Sequence, residues 1–168
     1  LVTLEARWPQ QPGAATERLF LHSWLRSKLG ARVYHDNRQH QGQPLMLINL
    51  CQSPMSPQLW LCAWLIGTAG CPVDAFDGPM PLAELPLALS RRRPRALLLF
   101  CEADSNTSAQ STLQQWLGDH GVPCLLIGIE DQQEAEQLVA RAPGSADITV
   151  VADPLAALQH LADRHLLE

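Results

Sequence analysis

Five short, mostly apolar segments, spaced at intervals of roughly 25 residues, constrain the fold of this chain more than any other feature. A strand formed from such a segment is apolar on both faces. Strands of this kind belong to parallel sheets that are covered by helices on both faces. The segments are LMLINLC, CPVDAF, RALLLFC, VPCLLIG and DITVVA, which begin at Leu45, Cys71, Arg95, Val122 and Asp147.

Helical patterns fill the intervals between these segments. The pairs Ser56-Pro57 and Asp153-Pro154 each place a capping side chain before a proline suited to a first helical turn. Pro86 lies within LAELPLAL and predicts a kinked or shortened helix there. Strands that alternate with helices predict an α/β protein with a doubly wound, flavodoxin-like, five-stranded parallel sheet. Three further helices are expected at 113–120, 135–142 and 155–162.

The first 44 residues are expected to be a linker followed by one extra helix, and residues 45–168 the sheet domain. Thr16 is a candidate N-cap, and apolar residues recur at helical spacing from Phe20 to Leu29. Gly30 would end this helix, and the polar stretch that follows at 34–44 would be a loop.

Composition and charge exclude several classes of function. A net charge of −5 and a pI of about 5.6 argue against this chain alone holding DNA or an anionic membrane. Five cysteines without a CxxC pair indicate a reduced cytoplasmic compartment. No apolar run reaches the roughly 20 residues of a membrane helix. No nucleophile elbow, phosphate loop or paired zinc motif is present, so we expect a protein that is not an enzyme.

The segment LWLCAWLI at 59–66 is apolar around its whole circumference. A helix that lies on a sheet needs only one apolar stripe, so the outer face with Trp60 and Trp64 requires cover. The upstream helix, a second subunit or a ligand could supply it. Trp60 and Trp64 are therefore candidate interface residues.

From Leu45 to about Leu161 the chain resembles the cobalamin-binding domain of corrinoid proteins, in the version found at the C-terminal end of MerR-family transcriptional regulators. The resemblance covers about 115 residues and follows the segments TAGCPVDAF, PLAELPLALSRRRPRALLLF and WLGDHGVPCLLIG. It implies the same flavodoxin-like fold, with a ligand site at the carboxyl ends of the strands.

The residues that hold cobalamin in that family are largely replaced here. The family's loop motif, Asp/Glu-x-His-x-x-Gly, falls on Ser53, Met55 and Gln58. A thioether is a weaker ligand than imidazole, and Gln58 adds a side chain where the family leaves space. The family's serine after the third strand falls on Cys101, and of its Gly-Gly pair only Gly128 remains. The resemblance therefore implies a degenerate site.

The light-responsive MerR-type regulators called LitR include members that lack the cobalamin motif and are associated with a separate LOV-type photoreceptor. This chain is similar in kind, which implies a self-associating regulatory domain without a cofactor and with DNA contacted only through a domain outside this chain. Two alternatives remain open. One is a haem or cobalamin sensor that uses Met55, His35 or His40, and the other is a corrinoid-carrying methyltransferase subunit.

Overall fold

The computed structural model describes residues 12–50, 56–78, 80–101, 121–129, 136 and 147–167. The helices among them are α1 (Ala14–Asn37), α2 (Pro57–Thr68), α3 (Leu85–Arg92) and α4 (Pro154–Asp163). The strands are β1 (Leu45–Asn49), β2 (Val73–Phe76), β3 (Ala96–Phe100), β4 (Cys124–Ile127) and β5 (Ile148–Val151).

All five strands form one parallel sheet in the order β2-β1-β3-β4-β5. This is the predicted doubly wound α/β fold, and each of the five apolar segments supplies one strand. The chain moves from β1 outwards to β2 and then returns to place β3 on the other side of β1. The carboxyl ends of β1 and β3 therefore flank the topological switch point, where sheets of this type bind ligands.

The core has one layer on each face of the sheet, because successive strand residues point to opposite faces. Leu45 and Leu47 belong to the layer that includes α2 and α4, whereas Met46 and Ile48 belong to the layer that includes α3. Strands β1 and β3 are buried at every position. Their continuous apolar sequences are explained by these two layers.

Both predicted capping pairs begin helices. The Ser56 hydroxyl accepts a hydrogen bond from the Leu59 amide at 3.4 Å, and Asp153 Oδ1 accepts from the Leu155 and Ala156 amides at 2.9 and 2.8 Å. Pro86 lies in the first turn of α3, after a short 3-10 turn at Leu82–Glu84, so it marks the start of a short helix. The helices expected at 113–120 and 135–142 lie outside the described residues, apart from Glu136, which is helical.

The predicted bounds of the first helix were wrong at both ends. The helix begins after Gly13 rather than at Thr16, and it continues through Gly30 to Asn37, so the first turn of the expected loop is helical. A glycine inside a helix costs only about 1 kcal/mol. Packing of α1 against α2 outweighs this cost, and Gly30 lies at the contact.

The last residue of α1 covers part of the sheet edge. Asn37 Nδ2 donates to the Val73 carbonyl at 2.6 Å, and the Val73 amide donates to Asn37 Oδ1 at 2.9 Å. Strand β2 is an edge strand, and unpaired edge groups invite pairing with other chains. Asn37 thus satisfies the backbone of this edge at its first residue.

Candidate functional site

Three of the predicted site residues come together beside the switch point. Cys101 directly follows β3, Gly128 directly follows β4, and Gln58 lies in the first turn of α2. The Cys101 amide donates to the Ile127 carbonyl at 2.9 Å, which holds the two strand ends in register. Ser53 and Met55, the other two predicted positions, lie outside the described residues.

Gly128 has a backbone that another residue would strain. Its φ is +93°, in the region that favours glycine, and a Cβ there would lie 2.5 Å from the Cys101 carbonyl oxygen. The contact is with backbone rather than with a movable side chain. Gly128 is therefore required by the close approach of the two strand ends, whether or not a ligand binds.

Gln58 extends towards the same point. Its Oε1 lies 3.8 Å from the place that a Cβ on Gly128 would take. Gln58 is exposed to solvent, so its amide reaches across the end of the sheet from α2. An amide side chain therefore lies beside Gly128 at this end of the sheet.

Asp77, which directly follows β2, is a buried carboxylate that joins four parts of the fold. Its Oδ1 accepts from the Ser56 amide at 3.0 Å, and its Oδ2 accepts from Trp60 Nε1 and Arg26 Nε, both at 2.9 Å. The Asp77 side chain is 6% exposed, so this ion pair with Arg26 is largely shielded on the carboxylate side. The Asp77 carbonyl also accepts from Asn49 Nδ2 at 3.0 Å.

This role of Asp77 was not predicted from the sequence. Its partners come from α1, from α2 and from the end of β1, at positions 51, 21 and 28 residues away for Arg26, Ser56 and Asn49. No local pattern links these positions. An aspartate that directly follows a mostly apolar segment was the one signal available.

Both candidate interface tryptophans lie on α2, and Trp60 belongs to the contact between α1 and α2. The Trp60 ring lies 3.3 Å from the place of a Cβ on Gly30, and its indole nitrogen donates to Asp77. Trp64 is half-buried and packs against the core layer that contains α2. Of the three possible covers for this helix, α1 is the one that the structure places there, and a role for either tryptophan in subunit contact stays a prediction.

A cavity of about 530 Å³ lies beyond the carboxyl end of the edge strand β2. Strand β2 and α3 both contribute to it, and its lining is mainly apolar with charged groups from Asp77, Glu84 and Arg91. The Asp77 carboxylate already accepts hydrogen bonds from Ser56, Trp60 and Arg26. The apolar wall includes Phe76, Met80, Leu87 and Ala88.

The basic run RRRPR is divided among structural contacts. Arg92 pairs with Asp74 on β2 through two hydrogen bonds of 2.6 and 2.7 Å, which raise the pKa of Arg92. Arg93 ends α3 in the left-handed conformation. Arg95 reaches the Leu166 carbonyl at 3.5 Å. The run therefore ties α3 and the C-terminal segment to the sheet.

The candidate haem ligands His35 and His40 have separate partners. Gln39 Nε2 lies 3.0 Å from His35 Nε2, whereas His40 Nε2 donates to the Gly67 carbonyl at 2.9 Å. Among the described residues, no three His, Cys, Asp or Glu side chains cluster as a metal site would require. Burial raises the pKa of the Cys62 thiol to about 12 and also raises the pKa of the Cys124 thiol.

No protein-family model matches the chain, and no curated protein matches it. In the part of the chain that the structure describes, we find no helix with both the length and the apolar character needed to cross a bilayer.

Proposed function

We propose that this chain is a non-catalytic regulatory and self-association domain of a MerR-type transcriptional regulator, working in the cytoplasm, in which the cobalamin site has degenerated. The occupation of the space beside Gly128 by the Gln58 amide carries the proposal. A corrinoid needs open space at the carboxyl end of the sheet, and Gln58 takes part of it. The residue that would ligate cobalt is a methionine at position 55.

The internal use of Asp77 supports the same proposal. A carboxylate at the carboxyl end of a strand lies at the edge of the sheet where ligands bind, and is placed to bind a polar ligand. Here its oxygens accept from Ser56, Trp60 and Arg26 instead. The group therefore stabilises the packing of α1 on the domain and is not available to a small molecule.

In this proposal the signal reaches the domain through protein contacts. A separate LOV-type photoreceptor is the partner that the resemblance suggests, and self-association would pass the signal to a DNA-binding domain elsewhere in the regulator. The net charge of −5 supports the view that this domain does not itself hold DNA.

Gel filtration with hydroxocobalamin, and separately with haemin, tests the proposal through the visible spectrum of the protein peak. We expect neither chromophore to remain with the protein. The matched positive control is the triple variant Ser53→Asp, Met55→His and Gln58→Gly, which restores the family's motif and should gain cobalamin binding.

Stoichiometric retention of cobalamin or haem by the unaltered chain would contradict the proposal and favour the tetrapyrrole sensor. Loss of such a retained band in a Met55, His35 or His40 variant would then identify the ligand.

A further inference from the structure

Helix α1 carries an apolar stripe on the side that faces away from the domain. Phe20, Trp24 and Tyr34 are 72%, 48% and 68% exposed, although aromatic side chains of this size are seldom left in water. Ser27 and Ala31, which lie between them on the same face, are exposed as well. We call these five residues the α1 stripe.

The spacing of the stripe is that of a helix pair. Its members follow one another at intervals of four, three, four and three residues, which is the heptad spacing that keeps one seam facing a neighbouring helix. The opposite side of α1 contains Leu25, Leu29 and Val33 and packs on its own domain. The two faces of α1 are therefore suited to two different neighbours.

The order of large and small side chains favours a second copy of α1 in antiparallel orientation. One register sets Phe20 opposite Ala31 of the second copy and Trp24 opposite Ser27 of the second copy. Large residues then meet small ones at both layers, as close packing requires. A parallel pair would instead place Trp24 against Trp24 and Ser27 against Ser27.

Charge at the two ends of the stripe favours the same orientation. Glu17 and Arg38 are exposed and extend the heptad spacing by one step at either end. In the antiparallel register Glu17 lies level with Tyr34 of the second copy and about one turn from its Arg38, so unlike charges meet at both ends. A parallel pair would bring Glu17 to Glu17 and Arg38 to Arg38.

The area of the stripe is close to that of a small dimer interface. With side-chain areas of roughly 150–250 Å², the exposed fractions of the three aromatics correspond to about 300–450 Å² per copy. Two copies, together with the small residues and flanking stems along a 24-residue helix, approach the roughly 1,000 Å² expected of a specific interface.

We infer that the α1 stripe is the self-association surface of this chain, and that two copies pair through it in antiparallel orientation. The inference rests on the self-association in the proposed function and assigns it to α1 rather than to Trp60 and Trp64. Because the paired stripes lie on the far side of α1 from the sheet, the contact leaves the carboxyl ends of the strands accessible to another partner.

Sedimentation equilibrium of the full chain over a wide concentration range tests the inference. The unaltered chain should dimerise, and Trp24→Glu should raise the dimer Kd by at least about 100-fold, because symmetry removes the anchor twice. Leu155→Glu is the matched control, since Leu155 is 68% exposed on α4, and it should leave the Kd unchanged.

Charge exchange tests the orientation. Glu17→Arg and Arg38→Glu should each raise the Kd, by about tenfold, and the double variant should restore it. Such rescue is specific to the antiparallel pair, since in a parallel pair the double variant still sets like charges together. Absence of rescue would overturn the orientation.

A dimer that persists in Trp24→Glu would contradict the assignment of self-association to the α1 stripe. Ala31→Glu provides a second variant of an exposed residue, should circular dichroism show that Trp24→Glu does not fold. A chain that stays monomeric would overturn the inference. This holds also if the monomer sediments with anionic vesicles through the α1 stripe. Retention of hydroxocobalamin by a chain that still dimerises through α1 would contradict the proposed function alone.

Discussion

At Gly128 the backbone alone decides which residue can be accommodated. The positive φ and the 2.5 Å approach of the Cys101 carbonyl to the place of a Cβ are independent obstacles to a side chain. The resemblance to cobalamin-binding domains predicts that this glycine belongs to a ligand site. The geometry gives a structural reason for the glycine that requires no ligand, namely the close approach of the two strand ends.

Gly128→Ala should destabilise the protein by about 2–4 kcal/mol, because it adds a backbone clash to the cost of a left-handed residue. Urea denaturation followed by circular dichroism measures the change. Gly70→Ala is the matched control, since Gly70 has the same φ of +93° and nothing within 4 Å of its Cβ place. The control should cost about 1 kcal/mol. Equal costs for the two variants would show that the Cys101 contact contributes nothing.

Cys62 illustrates how burial makes a thiol inert. It lies in the core on the inner face of α2, and desolvation raises its pKa to about 12. Since the thiolate is the reactive form, this thiol is suited to packing rather than to redox sensing.

Alkylation with iodoacetamide at pH 8, read by peptide mass spectrometry, should modify Cys62 about a thousandfold more slowly in the native protein than in urea. A group with a raised pKa stays protonated until the pH passes that pKa, so little thiolate is present at pH 8. The unfolded chain is the control for intrinsic reactivity. Native labelling of Cys62 at the unfolded rate would contradict the buried position.

At the scale of the element, α1 shows how packing overrides local sequence. Gly30 is a typical helix stop, yet α1 continues for seven residues beyond it to Asn37. The absence of a side chain at Gly30 lets the Trp60 ring approach the α1 backbone. The added length brings Asn37 to Val73 and His40 to Gly67, so the continued helix gains contacts with both the sheet edge and α2.

Gly30→Val should destabilise the protein by about 1–3 kcal/mol, because its methyl groups would force the Trp60 ring away from α1. Thermal denaturation and the Trp fluorescence spectrum measure the effect. Ala15→Val, at an exposed position of the same helix, is the control for the helix propensity of valine. A Gly30→Val protein as stable as the control would contradict the close contact.

At the scale of the whole molecule, Asp77 joins parts of the chain that are distant in sequence. Its carboxylate holds α1 through Arg26 and the start of α2 through Ser56 and Trp60, and its carbonyl binds the end of β1 through Asn49. All four donors therefore bond to one buried residue, Asp77. The position of α1 over α2 therefore depends on Asp77 as well as on apolar packing.

Asp77→Asn should destabilise the protein by about 2–4 kcal/mol, because the amide loses the ion pair and sets an N–H group against donors. Chemical denaturation measures the loss. Asp74→Asn is the matched control on the strand that Asp77 follows, since the pair of Asp74 with Arg92 is more exposed and should contribute less than about 1 kcal/mol. A smaller loss for Asp77→Asn than for the control would contradict the central role of Asp77.

The sequence by itself determined the sheet and the starts of two flanking helices, α2 and α4. Strands β1 to β5 were predicted from mostly apolar segments, which are a local signal, and β1, β3 and β4 are buried at every position as such segments indicate. The caps at Ser56 and Asp153 were also predicted from a local signal, since a cap and its helix are adjacent in the chain. Gln58, Cys101 and Gly128 were named together only through the resemblance, whereas the rule that parallel strands end at one edge of the sheet explains why Cys101 and Gly128 lie close to each other.

Only the tertiary structure decided the length of α1, the role of Gly30, the partners of Asp77 and the exposure of the α1 stripe. The apolar residues of α1 predicted a helix, but the pattern did not show that Phe20 and Trp24 face away from the domain while Leu25 and Leu29 face it. Each of these features depends on contacts between residues far apart in sequence. Periodicity and propensity describe only neighbours along the chain, so they carry no information about which distant groups will meet.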